Sequence, residues 1–155
     1  EHLKRLSQDE LARRLVPYLE RAGLDPAAGP APEYVAMLFR DRVGTLTEMA
    51  DAAHYFYAKP HPSAVAIGEQ VNSANLPALV ELLSAFESVP WTREAIGAAL
   101  KATAKKHGLK PPQIMMATRL LVCGTKETPA IDAVLALLGR ETTRSRLADG
   151  LRIAG

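Results

Sequence analysis

Cysteine and long apolar runs are what this sequence most clearly lacks. Cys123 is the only cysteine among the 155 residues, so no disulfide framework can form within the chain. No stretch approaches the roughly 18 apolar residues that a membrane-spanning helix requires, and no cleavable signal precedes the first predicted helix. We therefore expect a soluble, cytoplasmic protein that does not bind a membrane.

The excess of positive over negative charge is also small. The formal net charge is +2 and the sequence pI is about 8.8, below the pI above ~9 that is typical of dedicated nucleic-acid modules. If the chain binds RNA, a few phosphate contacts cannot supply most of the affinity. Base stacking and hydrogen bonds would then carry the specificity.

Recognisable catalytic motifs are missing as well. The sequence has no G-x-x-x-x-G-K-[S/T] phosphate loop and no G-x-S-x-G nucleophile turn. No cysteine or H-E-x-x-H pattern joins His54 to His61 in a metal ligand set. Cys123 lies in an apolar helical run and is expected to behave as a small buried hydrophobe. We expect neither a catalytic residue nor a metal site in this chain.

What the sequence does contain is a succession of helix signals. Ser7-Gln8-Asp9-Glu10 and Thr45-Leu46-Thr47-Glu48 have the form of capping boxes, and Leu11, Leu15 and Leu19 follow the first at a spacing of four. Prolines and glycines separate the helical segments, and no alternating strand pattern of convincing length occurs. These features predict an all-α fold.

The segments between the breaks give the expected helix bounds. The predicted helices span residues 7–23 with a kink at Pro17, 33–40, 45 onward, 63–72, 76–86, 92–107, 112–123, 128–138 and 141–153. Thr128 is expected to cap its helix, with Pro129 as the first helical residue. Ser88-Val89-Pro90 indicates a boundary, so we predict a two-lobed helical bundle with lobes at residues 1–89 and 90–155.

The last third of the chain has a specific order of motifs. Thr118-Arg119-Leu120-Leu121-Val122-Cys123-Gly124 sets an arginine in an apolar helix that ends at glycine, and the loop Glu127-Thr128-Pro129 follows. Ala133-Val134-Leu135-Ala136-Leu137-Leu138-Gly139-Arg140-Glu141 is an apolar helix closed by Leu-Gly-Arg-Glu. This order resembles the C-terminal anticodon-binding region of bacterial glutamyl-tRNA synthetases, which are class I enzymes. The resemblance covers nearly the whole chain, although Ala117-Thr118-Arg119 stands where the family has Pro-Leu-Arg.

The resemblance implies an anticodon-binding site. In the family pattern, Arg119 helps to bind the first anticodon base, and the turn of Thr128, Pro129 and Ile131 is the binding surface for the middle base. Arg42 occupies the position of the second arginine in the family pattern R-x-R-x-x-T-L. In that family, an arginine at this position accompanies selection of cytosine as the third anticodon base. The implied partner is the anticodon loop of glutamate tRNA, with glutamine tRNA rejected.

From the residues alone, other interpretations of these positions stay open. Arg119 can be a surface arginine on the polar face of its helix, and Arg42 can belong to an ordinary charged loop. Thr128 and Pro129 are explained by helix capping alone. Trp91 and the cluster Tyr55-Phe56-Tyr57 are candidate stacking platforms, but we expect core packing for both.

The resemblance also implies that the chemistry lies outside this chain. The H-I-G-H-type and K-M-S-K-S-type signatures, with which class I synthetases position ATP phosphates, are absent from the sequence. We therefore expect a C-terminal piece of a longer ligase, without its catalytic Rossmann domain and inactive alone. The full-length enzyme would use ATP and Mg²⁺, whereas this chain would need no cofactor. We expect it to be a monomer that binds tRNA and does not bind DNA. The alternative is a helical protein-interaction or DNA-binding module, for which the support is generic.

Overall fold

The computed structural model describes residues 3–155, and its regular structure is entirely helical. Over those residues there are nine α-helices, two short 3-10 helices at Leu3–Arg5 and His54–Phe56, and no β-strand. The α-helices are α1 (Gln8–Arg21), α2 (Pro32–Phe39), α3 (Leu46–Ala52), α4 (Ala64–Gln70), α5 (Leu76–Ala85), α6 (Arg93–Lys106), α7 (Pro111–Cys123), α8 (Ile131–Leu138) and α9 (Arg140–Ala154). The prediction of an all-α fold is confirmed.

The chain divides into two compact units. The first unit ends at Lys59 and the second is Pro60–Gly155. The boundary expected between residues 89 and 90 lies inside the second unit, between α5 and α6. The difference arises because α5 packs on both α6 and α9 and therefore belongs with the helices that follow it.

In the first unit, α1 packs on α2 and α3. Ser7 caps α1 as predicted, since its Oγ accepts a hydrogen bond from the backbone N–H of Glu10 at 3.2 Å. The spacing of four places Leu11, Leu15 and Leu19 on one face, and all three side chains are completely buried. The helix continues through Pro17, so the apolar face is not interrupted by the predicted kink site.

An aromatic cluster closes the core of the first unit. The rings of Phe39, Tyr55 and Phe56 lie with centroids 4.8 to 6.5 Å apart. Tyr57 follows them, is buried, and donates its hydroxyl to the carbonyl oxygen of Pro30 at 3.0 Å. The loop before α2 approaches so closely that a Cβ at Gly29 would collide with the carbonyl oxygen of Phe56.

In the second unit, α7 is the most enclosed helix, with α4, α6 and α9 packed against it. It ends at Gly124, whose φ of +75° is the left-handed conformation that favours glycine. Gly150 of α9 lies against the side chain of Leu121, so the two helix backbones come close together. The predicted bounds of α7 are confirmed to within one residue.

A buried asparagine joins three elements of the second unit. Asn75 precedes α5 and is only 2% exposed. Its Nδ2 donates to the carbonyl oxygens of Gln70 at 2.7 Å and Gln113 at 2.9 Å, and its Oδ1 accepts from the N–H of Asn72 at 2.9 Å. The end of α4, the start of α5 and the first turn of α7 are therefore held by one side chain.

Candidate functional site

Arg119 lies on α7 with its guanidinium at the edge of the core. The helix is continuous through Ala117-Thr118-Arg119, and the Arg119 side chain is neither buried nor fully exposed. Its Nε donates to Thr128 Oγ1 at 3.0 Å, and its Nη1 lies 3.4 Å from Met116 Sδ. The guanidinium is thus fixed on one edge by a hydroxyl and on another by a thioether, which leaves its plane oriented.

Thr128 does not cap α8. The helix begins at Ile131, and its N-cap residue, Ala130, makes no side-chain cap. The Thr128 hydroxyl instead donates to the carbonyl oxygen of Pro129 at 2.7 Å while accepting from Arg119. The prediction that Thr128 is the cap and Pro129 the first helical residue is wrong, because the hydroxyl is engaged before the helix starts.

The turn before α8 presents little side-chain surface. Thr128 is 7% exposed, Ile131 is 4% exposed, and Pro129 is also buried. Ala130 is the exposed residue of this turn. A ligand at this turn would therefore meet backbone atoms rather than the predicted side chains.

Arg42 lies in the other unit, on the turn that connects α2 to α3. Its backbone N–H donates to the carbonyl oxygen of Phe39 at 2.9 Å, which closes the turn, and its side chain is exposed. The cap of α3 follows as predicted, since Thr45 Oγ1 accepts from the N–H of Glu48 at 3.1 Å and donates to its carboxylate at 3.0 Å. Arg42 thus stands a few residues before a helix N-terminus, as the sequence indicated.

The turn that carries Arg42 forms one wall of a surface cleft of about 430 Å³. The other wall is the 3-10 helix Leu3–Arg5. The cleft is lined by Leu3, Lys4, Arg5, Arg40, Asp41, Arg42, Val43 and Gly44. Four of these side chains are cationic and one is anionic, which makes the lining strongly basic in a chain of net charge +2.

The predicted site residues therefore fall into two groups. Arg119, Thr128, Pro129 and Ile131 belong to the second unit, where Arg119 and Thr128 are in direct contact. Arg42 belongs to the first unit, where sequence reasoning missed the contribution of Lys4 and Arg5 to its surroundings. The only signal for that contribution is the adjacent pair of basic residues.

The aromatic candidates are packing residues, as expected. The indole Nε1 of Trp91 donates to the carbonyl oxygen of Leu135 at 3.0 Å, and the ring meets Phe86 edge to face at 5.2 Å. The guanidinium carbon of Arg140 lies 5.2 Å from the centroid of the Trp91 ring. Tyr55, with its neighbours in the first unit, is buried. Tyr55, Phe56 and Tyr57 are therefore core residues, and the partly buried Trp91 is held by contacts within the second unit.

The Cys123 thiol is fully buried at the end of α7. Burial raises the pKa of the thiol to about 12, against the opposing effects of the Arg146 and Arg119 guanidinium groups. Arg146 is itself buried and donates from Nη1 to the carbonyl oxygen of Val122 at 3.2 Å. At neutral pH the thiol is protonated, so it has the packing character expected of a buried cysteine.

Metal-binding clusters and membrane-spanning helices are both absent from residues 3–155. No three side chains among the histidines, cysteines and carboxylates in this range are grouped so that they could hold a metal ion. No helix within the same range is long and apolar enough to cross a membrane.

Comparison with known proteins gives consistent matches. The family described as "Anticodon binding domain" matches residues 10–151. The chain is 45% identical over 149 residues to the glutamate–tRNA ligase of Burkholderia cenocepacia, covering 94% of this chain and 32% of that protein. It is 46% identical over 149 residues to the ligase of Burkholderia multivorans, with the same shares covered. The chain thus spans about a third of the length of these curated relatives.

Solved structures agree with the observed fold. A glutamate tRNA ligase from Elizabethkingia meningosepticum, in complex with its amino acid, has a TM-score of 0.83 at 18% identity, over 97% of this chain and 30% of that one. The glutamate-tRNA synthetase of Elizabethkingia anophelis has a TM-score of 0.79 at 18% identity, with the same coverage. At this identity the likeness establishes the fold.

Proposed function

This chain belongs to the anticodon-binding domain family, and from that premise we propose that it reads the anticodon loop of glutamate tRNA for a glutamate–tRNA ligase. The observation that carries the proposal is the family match over residues 10–151. In a protein of its relatives' length, another part would attach glutamate to the tRNA 3′ end with ATP and Mg²⁺. The present chain, which has neither class I signature, would supply recognition.

Arg119 is proposed to bind the first anticodon base. Its Nε is held by Thr128 Oγ1, so the guanidinium plane is oriented before a base arrives. Planar N–H donors in fixed positions suit base edges better than a flexible charge, and less side-chain entropy is lost when they bind. The contacts to Thr128 and Met116 are compatible with this role because they use only two of the five guanidinium N–H donors.

The turn of Thr128, Pro129 and Ile131 is proposed to meet the middle base through its backbone. The three side chains are buried, which leaves the peptide groups around exposed Ala130 as the accessible part. The first N–H groups of an α-helix have no partner inside the helix and favour acceptor atoms. Thr128 then has a second role in this proposal, which is to position Arg119.

Arg42 is proposed to select cytosine as the third anticodon base. Its side chain is exposed on a turn that is closed by the hydrogen bond to Phe39, so a base can reach it. A well-made contact to a base edge discriminates by about 1–3 kcal/mol, which is roughly ten- to a hundredfold in affinity. This contact would exclude glutamine tRNA, whose anticodon ends differently.

The family assignment favours anticodon binding over a protein-interaction or DNA-binding module. The burial of α8 also argues against a DNA-binding module, since its apolar residues Ile131, Val134, Leu135 and Leu138 are buried. A helix that reads a DNA groove needs exposed polar side chains instead. We further propose that the protein acts in the cytoplasm and that this domain binds tRNA as a monomer.

Fluorescence anisotropy with two anticodon stem-loops tests the proposal. One loop carries the glutamate anticodon, and the other has its third base changed from C to G, at one stated salt concentration. We expect at least a several-fold preference for the glutamate loop, and weaker binding by Arg42→Ala and Arg119→Ala with unchanged helical circular dichroism. If the unsubstituted chain binds neither loop, the proposed function is wrong. If both variants fold and bind as the unsubstituted chain does, the assigned residues are wrong.

A further inference from the structure

The basic cleft of the first unit has more positive charge than one base contact requires. Lys4 and Arg5 face it from the 3-10 helix Leu3–Arg5, and Arg40 and Arg42 face it from the turn after α2. The proposed function uses only Arg42. Three further cations in the same cleft have no role in reading a base.

Three of the cations in the cleft, Lys4, Arg5 and Arg40, have little neutralisation from the described residues. Asp41 is the one carboxylate in the lining, and its Oδ1 is 3.9 Å from Arg40 Nε, which is a long and weak ion pair. Arg40 Nε is buried, and no hydrogen-bond acceptor from the described residues reaches it. Lys4 and Arg5 are exposed, and no carboxylate in the described part of the chain pairs with them. Lys4 and Arg5 are therefore available to pair with a bound anion.

The arrangement suits phosphate esters. Guanidinium groups donate paired N–H groups to phosphate oxygens, and an ammonium group adds a point charge. The cleft is concave and holds about 430 Å³, which lies within the usual range of ligand sites. In protein–nucleic acid contacts, phosphate contacts set the register of the strand while base contacts read it.

We propose that this cleft binds the sugar-phosphate backbone of the anticodon loop beside the base that Arg42 reads, with Lys4 and Arg5 contacting phosphates. This inference rests on the proposed function. RNA is favoured over an acidic peptide because the proposed base reader, Arg42, lines the same cleft. Lys4 and Arg5 then contribute affinity for any sequence, and Arg42 contributes the choice of base.

The double variant Lys4→Ala/Arg5→Ala separates these two contributions. Each phosphate contact on a single strand adds about 0.7 to the slope of log affinity against log salt, so removing two should reduce the slope by about 1.4. Affinity should fall by the same factor for the C-ending loop and the G-ending loop, and the preference between them should not change. Lys101→Ala/Lys105→Ala is the matched control, since it removes two exposed cations from α6. The control should leave the slope as it is in the unsubstituted chain.

Several outcomes would overturn the inference. A wild-type slope in Lys4→Ala/Arg5→Ala, or an equal decrease in the control, would mean that the cleft has no specific phosphate contacts. Loss of the C-over-G preference in the double variant would make these residues base readers instead. A different outcome is that polyglutamate displaces the stem-loop from the unsubstituted chain but not from the double variant. If the salt slope for RNA is also the same in both chains, the cleft binds acidic peptides. If the unsubstituted chain prefers the glutamate loop but the double variant has an unchanged salt slope, only this inference is wrong. If the unsubstituted chain binds neither loop, the proposed function is wrong as well.

Discussion

Arg119 and Thr128 are joined by a hydrogen bond from the guanidinium Nε to the threonine hydroxyl, 3.0 Å long. The hydroxyl is held in turn by its own bond to the carbonyl oxygen of Pro129 at 2.7 Å. Because Thr128 is buried, its rotamer is set by packing as well as by these two bonds. A loop that precedes α8 thus orients an arginine on α7.

Replacing Thr128 by valine should weaken RNA binding through Arg119. The substitution keeps the side-chain shape but removes both hydrogen bonds, and we expect roughly a fivefold loss of affinity for the glutamate stem-loop, about 1 kcal/mol for the lost hydrogen bond. Combined with Arg119→Ala, the effects should be non-additive, because Thr128 acts through the arginine. Anisotropy titrations of the single and double variants measure the coupling.

Thr125→Val provides the matched control for Thr128→Val. Thr125 lies in the same loop, and its hydroxyl accepts from the N–H of Glu127 at 3.1 Å without touching Arg119. Its substitution should show no coupling to Arg119→Ala. Fully additive losses for Thr128 and Arg119 would mean that the observed hydrogen bond does not prepare the arginine for binding.

Thr128 also illustrates what the sequence could and could not predict. The caps at Ser7 and Thr45 were predictable because they bond to backbone N–H groups three residues away. Thr128 also precedes an apolar helix, but it lacks the glutamate that follows Ser7 and Thr45 three residues later, and its hydroxyl bonds to a side chain nine residues earlier. A local sequence pattern does not show whether a threonine hydroxyl accepts a hydrogen bond from the backbone of its own helix or from a side chain of another helix.

The polar contacts that span long sequence separations were the least predictable. Asn75 donates to Gln113, which is 38 residues away, and nothing near Asn75 in the sequence indicates a buried partner. The basic cleft combines Lys4 and Arg5 with Arg40 and Arg42, and only the fold brings these segments together. By contrast, the apolar faces of α1 and α7 follow directly from helical periodicity and were predictable.

Arg42→Lys tests whether the proposed third-base contact depends on shape or on charge. Lysine keeps the positive charge but lacks the planar pair of donors. We expect most of the affinity to remain and the preference for C over G at the third base to fall by about tenfold, the lower end of a good base contact. Stem-loop titrations of Arg42→Lys beside Arg42→Ala give the comparison. An unchanged preference in Arg42→Lys would mean that charge alone suffices at this position.

Two glycines in helices should respond to alanine in opposite directions. A Cβ at Gly150 would come 2.6 Å from Leu121 Cδ2 and 3.1 Å from Leu121 Cβ, so the whole leucine side chain would have to move. Overpacking of this kind costs about 1–3 kcal/mol, which exceeds the gain of up to about 1 kcal/mol from helix propensity. We expect Gly150→Ala to lower the free energy of unfolding by about 1 kcal/mol, the difference between the middle of the overpacking range and the propensity gain.

Gly68→Ala is the control for this balance, because nothing lies within 4 Å of a Cβ at that position in α4. With no steric cost, the propensity term alone should raise stability by about 0.5–1 kcal/mol. Urea denaturation of both variants measures the two signs. A stabilised Gly150→Ala would show that α7 and α9 can separate without cost.

Tyr57 should make stability fall at alkaline pH. Burial, and secondarily the charge of Glu33, raises the pKa of Tyr57 from 10.0 to about 12. Below pH 10 the hydroxyl is protonated in both folded and unfolded chains, and its hydrogen bond to Pro30 contributes fully. Between about pH 10 and 12 the unfolded chain loses the proton while the folded chain keeps it, so stability is lost as the pH rises.

Tyr57→Phe removes both effects, and its comparison with the unsubstituted chain isolates them. At neutral pH the variant should be less stable by about 1 kcal/mol, the usual net contribution of one hydrogen bond. Each pH unit within the window costs the unsubstituted chain up to about 1.4 kcal/mol, so its advantage should disappear near pH 11. Urea denaturation at pH 7 and pH 11 measures this change, with Tyr34→Phe as the control because that ring is 61% exposed. An advantage of equal size at both pH values would mean that the folded chain lets Tyr57 ionise as readily as the unfolded chain does.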